Sequence, residues 1–263
     1  MSSPDGMGAA HSQPSTFVCN ICESSNACDP TTIGREDASC SGCGSSVRLR
    51  AVVHLLTDEV FGESMPLSCI PERRDVIGYG LSDWSVYARV LASRLTYLNT
   101  YYHTAPRLDI TDVPDEIAGT ADFLIATDVF EHVLSPVSRA FEGARRLLRP
   151  GGVFVCSVPF LPTAGPTLEH FPSLHDFRIE KGADQRYRLH NRTANGRDEV
   201  FEDLVFHGGP GSTLEMRLFS RDSLYAEFER AGFSDIRFRA EPAPQWGIHW
   251  TESDTSVPVV ARV

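Results

Sequence analysis

The stretch from Ala121 to Val158 constrains the fold more than any other. In "ADFLIATD" the apolar run Phe123 to Ala126 is short, continuous and bounded by polar residues, the pattern of a strand buried on both faces. "SPVSRAFEGARRLL" follows, with Val137, Ala140, Phe141, Ala144, Leu147 and Leu148 at helical spacing. Ser135 is placed to cap this helix and Pro136 to take its first position. "RPGG" ends it, and "VFVCSV" is another buried strand. A strand, a helix and a strand in succession form a parallel crossover, which restricts the chain to α/β architectures.

The same alternation runs along the rest of the chain. A strand over Asp75 to Tyr79 ends in glycines and is followed by a helix opened by Ser82 or Asp83. "LTYLNTYYH" is a second strand. Near the end, "SRDSLYAEFERAGF" is a capped helix, and "DIRFRAEP" and "VPVVARV" are closing strands. The expected fold is α/β, a doubly wound, Rossmann-like and mostly parallel sheet. Between residues 159 and 213 the pattern breaks into an aromatic, His-rich stretch, expected to be an irregular insertion on the substrate side.

The cysteines define a second unit. Cys19, Cys22, Cys40 and Cys43 form C-x2-C-x17-C-x2-C, a spacing that lets two tight turns aim four sulfurs at one zinc ion. Four thiolates leave no open position, so such a zinc is structural. The expected organisation is a flexible tail over 1–16, a zinc-ribbon-like module over 17–46, a linking helix over 47–70 and the main domain over 71–263.

Charge narrows the function classes. The net charge of -11 opposes binding to phosphate backbones, so a nucleic-acid partner is not expected. No apolar run is long enough to span a membrane, and the opening residues lack a secretory pattern, so a cytoplasmic location is expected. The sequence carries no signal for an oligomeric state.

Two motifs suggest chemistry. "VIGYGLSDW" places Gly78 and Gly80 in a turn between strand and helix, where a ligand can approach the backbone. Asp83 stands where the dinucleotide fingerprint has its third glycine, which argues against nicotinamide or flavin. "TDVFEHV" ends a buried strand in Asp128 and follows it with Glu131 and His132. His132 is the candidate general base, and Glu131 a structural acceptor at the next turn.

In this order, a glycine turn, a strand, the acid of "RLDITD", "ATDVFEHV" and "RLLRPGGVFVCSVPF", the chain resembles class I S-adenosylmethionine-dependent methyltransferases. Its front end is similar to cysteine-rich modules that precede some bacterial methyltransferase domains. The resemblance implies a seven-stranded sheet with an antiparallel C-terminal hairpin. It also implies that Gly78 and Gly80 border the methionine part of the cofactor. Asn99 would stand where an acid normally holds the ribose, and Asp109 and Ile110 would flank the adenine. Asp128 and Val129 would lie near the methyl group. The function expected on this basis is methyl transfer to oxygen or nitrogen of a small-molecule or sugar-like acceptor by in-line displacement. One alternative is a zinc-containing rRNA or tRNA methyltransferase, which would need a basic stripe such as Arg48, Arg50, Arg73 and Arg74. The other is a catalytically degenerate methyltransferase fold serving as an interaction module.

Overall fold

The computed structural model describes residues 15–29, 32–161, 165–251 and 256–263. Of the tail expected over 1–16, residues 1–14 lie outside the described residues. Thr16 already belongs to the first strand, β1 (Ser15–Val18), which pairs antiparallel with β2 (Ser25–Cys28).

α1 (Val47–Phe61) begins where Ser46 accepts a hydrogen bond from the Leu49 N–H and ends at Gly62 in the left-handed region. The helix is more than a link. Val52, Val53 and Leu56 are fully buried in one apolar cluster with Phe123, Ile125, Val153 and Val155. Phe17, Cys19 and Cys40 of the cysteine unit join the same cluster, so that unit shares a core with the main domain.

The central strands are β3 (Arg73–Leu81), β4 (Leu95–Thr100), β5 (Ala121–Thr127) and β6 (Leu148–Ser157). α2 (Ser85–Arg94) connects β3 to β4, and α3 (Ser138–Leu147) connects β5 to β6. These four strands are parallel. Alternation along β5 divides the two faces. Phe123 and Ile125 face α1 and α2, whereas Leu124 and Ala126 belong to the cluster of Phe141, Ala144 and Leu147 on α3. Each such fully buried large apolar side chain contributes about 1.5–3 kcal/mol.

After β6 come β7 (Phe160–Leu161), β8 (Leu168–Glu169), β9 (Asp176–Lys181), β10 (Tyr187–Arg192), β11 (Asp198–Phe201), β12 (Phe206–His207), β13 (Thr213–Leu214) and β14 (Arg217–Ser220). The insertion expected to be irregular is therefore built of short strands. β9, β10 and β11 form an antiparallel sheet closed by tight turns at Gly182–Arg186 and Thr193–Arg197. Leu189, Phe171 and Leu214 give it a small core of its own. α4 (Arg221–Ala231), capped by Ser220 and ended by Gly232, leads to the antiparallel pair β15 (Ser234–Phe238) and β16 (Val259–Arg262).

The main sheet runs β15-β16-β6-β5-β3-β4. Among the described residues it has six strands rather than the seven implied by the resemblance, and β4 is an edge strand. Residues 101–120 make one short bridge, Tyr101 to Arg107, and one single-turn helix, Asp115–Ile117. Pro106 and Pro114 interrupt this stretch, and proline neither donates to a ladder nor continues one.

α3 also starts later than the sequence suggests. Ser135 does not cap it, because its hydroxyl bonds the Glu169 carboxylate and receives the Arg217 guanidinium. Among the described residues no helix is long and apolar enough to cross a membrane.

Candidate functional site

A cavity of about 700 Å³ opens over the carboxyl ends of β3, β5 and β6. That is the usual place for a ligand on an open α/β sheet, and the volume suits a cofactor. Ser82 and Trp84 form one wall, Thr127 and Asp128 the floor, and Pro159 another side. The rest comes from outside the sheet. The cysteine unit supplies Arg35 and Glu36, α1 supplies Arg48, and the insertion supplies Phe206, His207 and Gly208. A second cavity, of about 610 Å³, lies within the insertion around Tyr187 and shares Phe206 with the first.

Asp128 is the centre of the floor. Its φ of 55° puts a non-glycine residue in the left-handed region, and its N–H bonds the Ser157 carbonyl at 2.7 Å. One carboxylate oxygen takes Arg35 Nη2 at 2.9 Å and the Ser157 hydroxyl at 3.1 Å. The other lies 3.2 Å from Arg48 Nε. Glu36 also pairs with both arginines, at 2.7 Å from Arg48 Nε. Burial alone would raise the Asp128 carboxyl, but the two guanidinium groups hold it below its ordinary value. Two acids and two bases thus form a compact set with no net charge.

The remaining predicted cofactor residues are differently employed. Gly78 and Gly80 lie inside β3, so they are not in the turn. A Cβ on Gly78 would meet the Phe123 ring at 2.1 Å, and one on Gly80 would meet the Tyr97 hydroxyl at 2.0 Å. Their small size serves close packing within the sheet, and the turn itself is Ser82–Trp84. Asn99 spends its amide on that turn, accepting from the Asp83 N–H and donating to the Asp83 carbonyl, both at 2.8 Å. Asp83 is buried and bonded by the Tyr97 hydroxyl, and burial pushes its carboxyl up to about 7. Asp109 caps its own turn through Thr111. Ile110 is buried, with its carbonyl against Gly143 of α3, and Val129 packs on the core of that face.

Glu131 and His132 sit on a single-turn helix, Phe130–His132, just beyond Asp128. His132 Nδ1 lies 2.8 Å from the Leu214 carbonyl, and its Nε2 lies 3.2 Å from His207 Nδ1. The other nitrogen of His207 is 3.0 Å from Glu215, which also pairs with His170 at 2.8 Å. Glu131 is fully buried, and neither of its carboxylate oxygens has a hydrogen-bond partner. Its nearest polar neighbours are His207 Nδ1 at 3.5 Å and His132 Nε2 at 3.6 Å. Arg217, fully buried, ties the insertion to this turn through the Phe130 carbonyl at 3.0 Å and Glu169 at 2.7 Å. Sequence reasoning found Glu131 and His132. It missed His207 as their partner, and it missed Arg35 and Arg48 as partners of Asp128. The sequence does mark the two neighbourhoods, as "HGGPG" and "GRED".

The four cysteines come together with all sulfurs within 4.8 Å of one another. Cys19 and Cys43 are 3.7 Å apart, and Cys22 and Cys40 are 3.5 Å apart. Four sulfurs at about 2.3 Å from a tetrahedral zinc lie about 3.8 Å from each other, so the cluster fits that ion.

The methyltransferase domain family matches residues 62–237. The chain has no match among the curated proteins compared. Similar solved structures include a sugar N-methyltransferase from Streptoalloteichus sp., 13% identical over 84% of this chain and 89% of that one, with a TM-score of 0.46. Another is an amino pentose methyltransferase from Micromonospora echinaspora, 14% identical over 84% and 93%, with a TM-score of 0.43. A third is the 1,6-didemethyltoxoflavin-N1-methyltransferase of Burkholderia thailandensis, 14% identical over 81% and 77%, with a TM-score of 0.45.

Proposed function

The chain belongs to the methyltransferase domain family and is an S-adenosylmethionine-dependent methyltransferase, and on that premise we propose that the cavity over β3, β5 and β6 holds the cofactor and a small-molecule or sugar-like acceptor. The observation that carries this reading is the floor of that cavity, where Asp128 and Glu36 meet Arg35 and Arg48. A neutral set of two acids and two bases suits the methionine end of the cofactor, which carries one ammonium and one carboxylate. Bound there, S-adenosylmethionine supplies a methyl group on a positive sulfur, open to in-line displacement by an oxygen or nitrogen nucleophile.

The chain's own contribution is alignment and exclusion of water. Arg35 and Arg48 take the carboxylate, and Asp128 takes the ammonium. Asn99 fixes the turn that presents Ser82 and Trp84. His132 works at the acceptor end together with Glu131 and His207, since its Nε2 faces His207 and not open space. Zinc on Cys19, Cys22, Cys40 and Cys43 has a structural task, which is to hold the loop that carries Arg35. The RNA reading is not favoured. Arg50 is fully buried, Arg48 lines the cavity beside Asp128, and Arg73 and Arg74 pair with Asp75 and Glu72.

Calorimetric titration of the zinc-loaded chain with S-adenosylhomocysteine tests the proposal. Micromolar binding that is lost in Asp128→Ala is expected. Folded protein that does not bind the product would remove the cofactor assignment and leave the interaction-module alternative.

A further inference from the structure

We propose that Glu131, His132 and His207 form a binding site for one divalent metal cation, with an open coordination position toward the acceptor side of the cavity. An oxygen of the acceptor, hydroxyl or carboxylate, is the ligand that position takes. The cation site stands on its own geometry, and only the identity of what it faces rests on the methyltransferase reading.

The first argument is the direction of the lone pairs. A carbonyl oxygen only accepts, so His132 donates its Nδ1–H to Leu214 and keeps the lone pair on Nε2. Glu215 lies against His207 Nε2, which in a neutral ring places the lone pair of His207 on Nδ1. In that tautomer the two lone-pair nitrogens face each other at 3.2 Å. Two acceptors at that separation repel unless a proton or a metal cation lies between them.

The second argument is the buried carboxylate. Glu131 has no exposed surface and no hydrogen-bond partner on either oxygen. An ionised carboxyl in such a place costs several kcal/mol unless a cation neutralises it. Its Oε1 lies 3.5 Å and 3.6 Å from the same two nitrogens. Ligand atoms about 2.0–2.1 Å from a tetrahedral metal are spaced about 3.3 Å apart. The three separations lie close to that edge length.

The surroundings match what ligating histidines need. One imidazole is oriented by a backbone carbonyl and the other by a carboxylate, Glu215, which His170 orients in turn. Two imidazoles and one carboxylate suit manganese, iron, cobalt, nickel or zinc, and leave at least one position free. His207 is the ligand that lines the cavity, so the free position opens there.

Manganese(II) is the probe of choice, because it prefers nitrogen and oxygen donors and avoids the thiolates of the cysteine cluster. The full chain is stripped with a chelator, reloaded with one equivalent of zinc and titrated with Mn²⁺ by calorimetry and electron paramagnetic resonance. One Mn²⁺ per chain is expected. Its affinity should fall at least roughly tenfold in Glu131→Gln and in His207→Ala, and about tenfold in Glu215→Gln. His207 is partly exposed, so its truncation leaves a folded protein if Glu131→Gln does not. Failure of the folded wild type to bind Mn²⁺, or unchanged binding in His207→Ala, would overturn the site and leave a proton shared between the imidazoles. Titrating the same wild-type sample with S-adenosylhomocysteine separates the two readings. Product binding without Mn²⁺ binding rejects the cation site alone. Mn²⁺ binding without product binding rejects the cofactor assignment alone.

Discussion

The cysteine unit and the insertion both line the cavity over the strand ends, and each is fastened by one fully buried arginine. Arg50 fastens the first, Arg217 the second. Arg50 donates to the carbonyls of Ser45, Trp246 and Gly247 and stacks over Phe17. It has no carboxylate among these partners. Burial lowers its pKa, and the neighbouring cysteine sulfurs oppose that shift when ionised. Arg217 instead has Glu169, with the Phe130 and Val133 carbonyls and the Ser135 hydroxyl. One region sets its arginine beside cysteine sulfurs, the other beside an ordinary ion-pair partner. The difference teaches where each region is vulnerable: the second to loss of a side chain, and the first, if the proposed zinc is bound, to a chelator. It also separates their products. The first delivers a charge-neutral floor, whereas the second brings His207 to His132 and the buried Glu131 carboxylate.

The largest expected effect tests the two anchors directly. Arg50→Ala leaves three carbonyls unsatisfied and should cost on the order of 4 kcal/mol in urea unfolding. Arg217→Ala should cost about 3 kcal/mol, since Glu169 is partly exposed and can turn to water. Chelation should lower the stability of the wild type and have little further effect on Arg50→Ala. Equal sensitivity of both variants to chelator would break the comparison.

Arg35 is the next lever, because it carries the influence of the cysteine unit to the floor. Arg35→Ala should weaken S-adenosylhomocysteine binding by about 2 kcal/mol in calorimetry, the size of a charged hydrogen-bond pair. Arg35→Lys should not restore it, as an ammonium cannot span both oxygens of Asp128. Full activity in the lysine variant would show that Arg35 supplies charge only.

Much of this was legible in the sequence, and the limit follows sequence distance. α1 starts, and α4 starts and stops, as expected because Ser46, Ser220 and Gly232 act on their own helix ends, whereas α1 ends at Gly62 and does not run on to residue 70. The start of α3 was not, because Ser135 is drawn away by Glu169 and Arg217, partners far along the chain. Gly78 and Gly80 resemble a ligand turn in one dimension. Only the sheet shows that Phe123 and Tyr97 need the space. Glu131 and His132 were visible as a pair, but His207 reaches them through a hairpin of the insertion. Arg35 and Arg48 carry no local sign that they converge on Asp128.

Two acids near the cavity sharpen the contrast between paired and unpaired burial. Asp128 is held ionised by arginines, whereas Asp83 has a carboxyl pushed up to about 7. The folded state therefore binds more protons at Asp83 than the unfolded chain does between pH roughly 4 and 7. Stability should fall as pH rises through that window, by at most about 1.4 kcal/mol per pH unit from this group. Asp83→Asn should flatten the profile of thermal or urea unfolding there. An unchanged slope would mean that Asp83 is charged throughout.

The smallest effect concerns Asn99, which lies between the two kinds of site. Its amide both accepts from and donates to the Asp83 backbone, so it clamps the turn carrying Ser82 and Trp84. Asn99→Asp keeps the acceptor and removes the donor. It should cost about 1 kcal/mol in stability and weaken S-adenosylhomocysteine binding in step. The opposite outcome, tighter binding at unchanged stability, would place residue 99 against the ribose, where a carboxylate accepts from both hydroxyls. The turn would then be held by Ser82, whose N–H bonds the Thr100 carbonyl at 2.7 Å, and by the strand pairing beneath it.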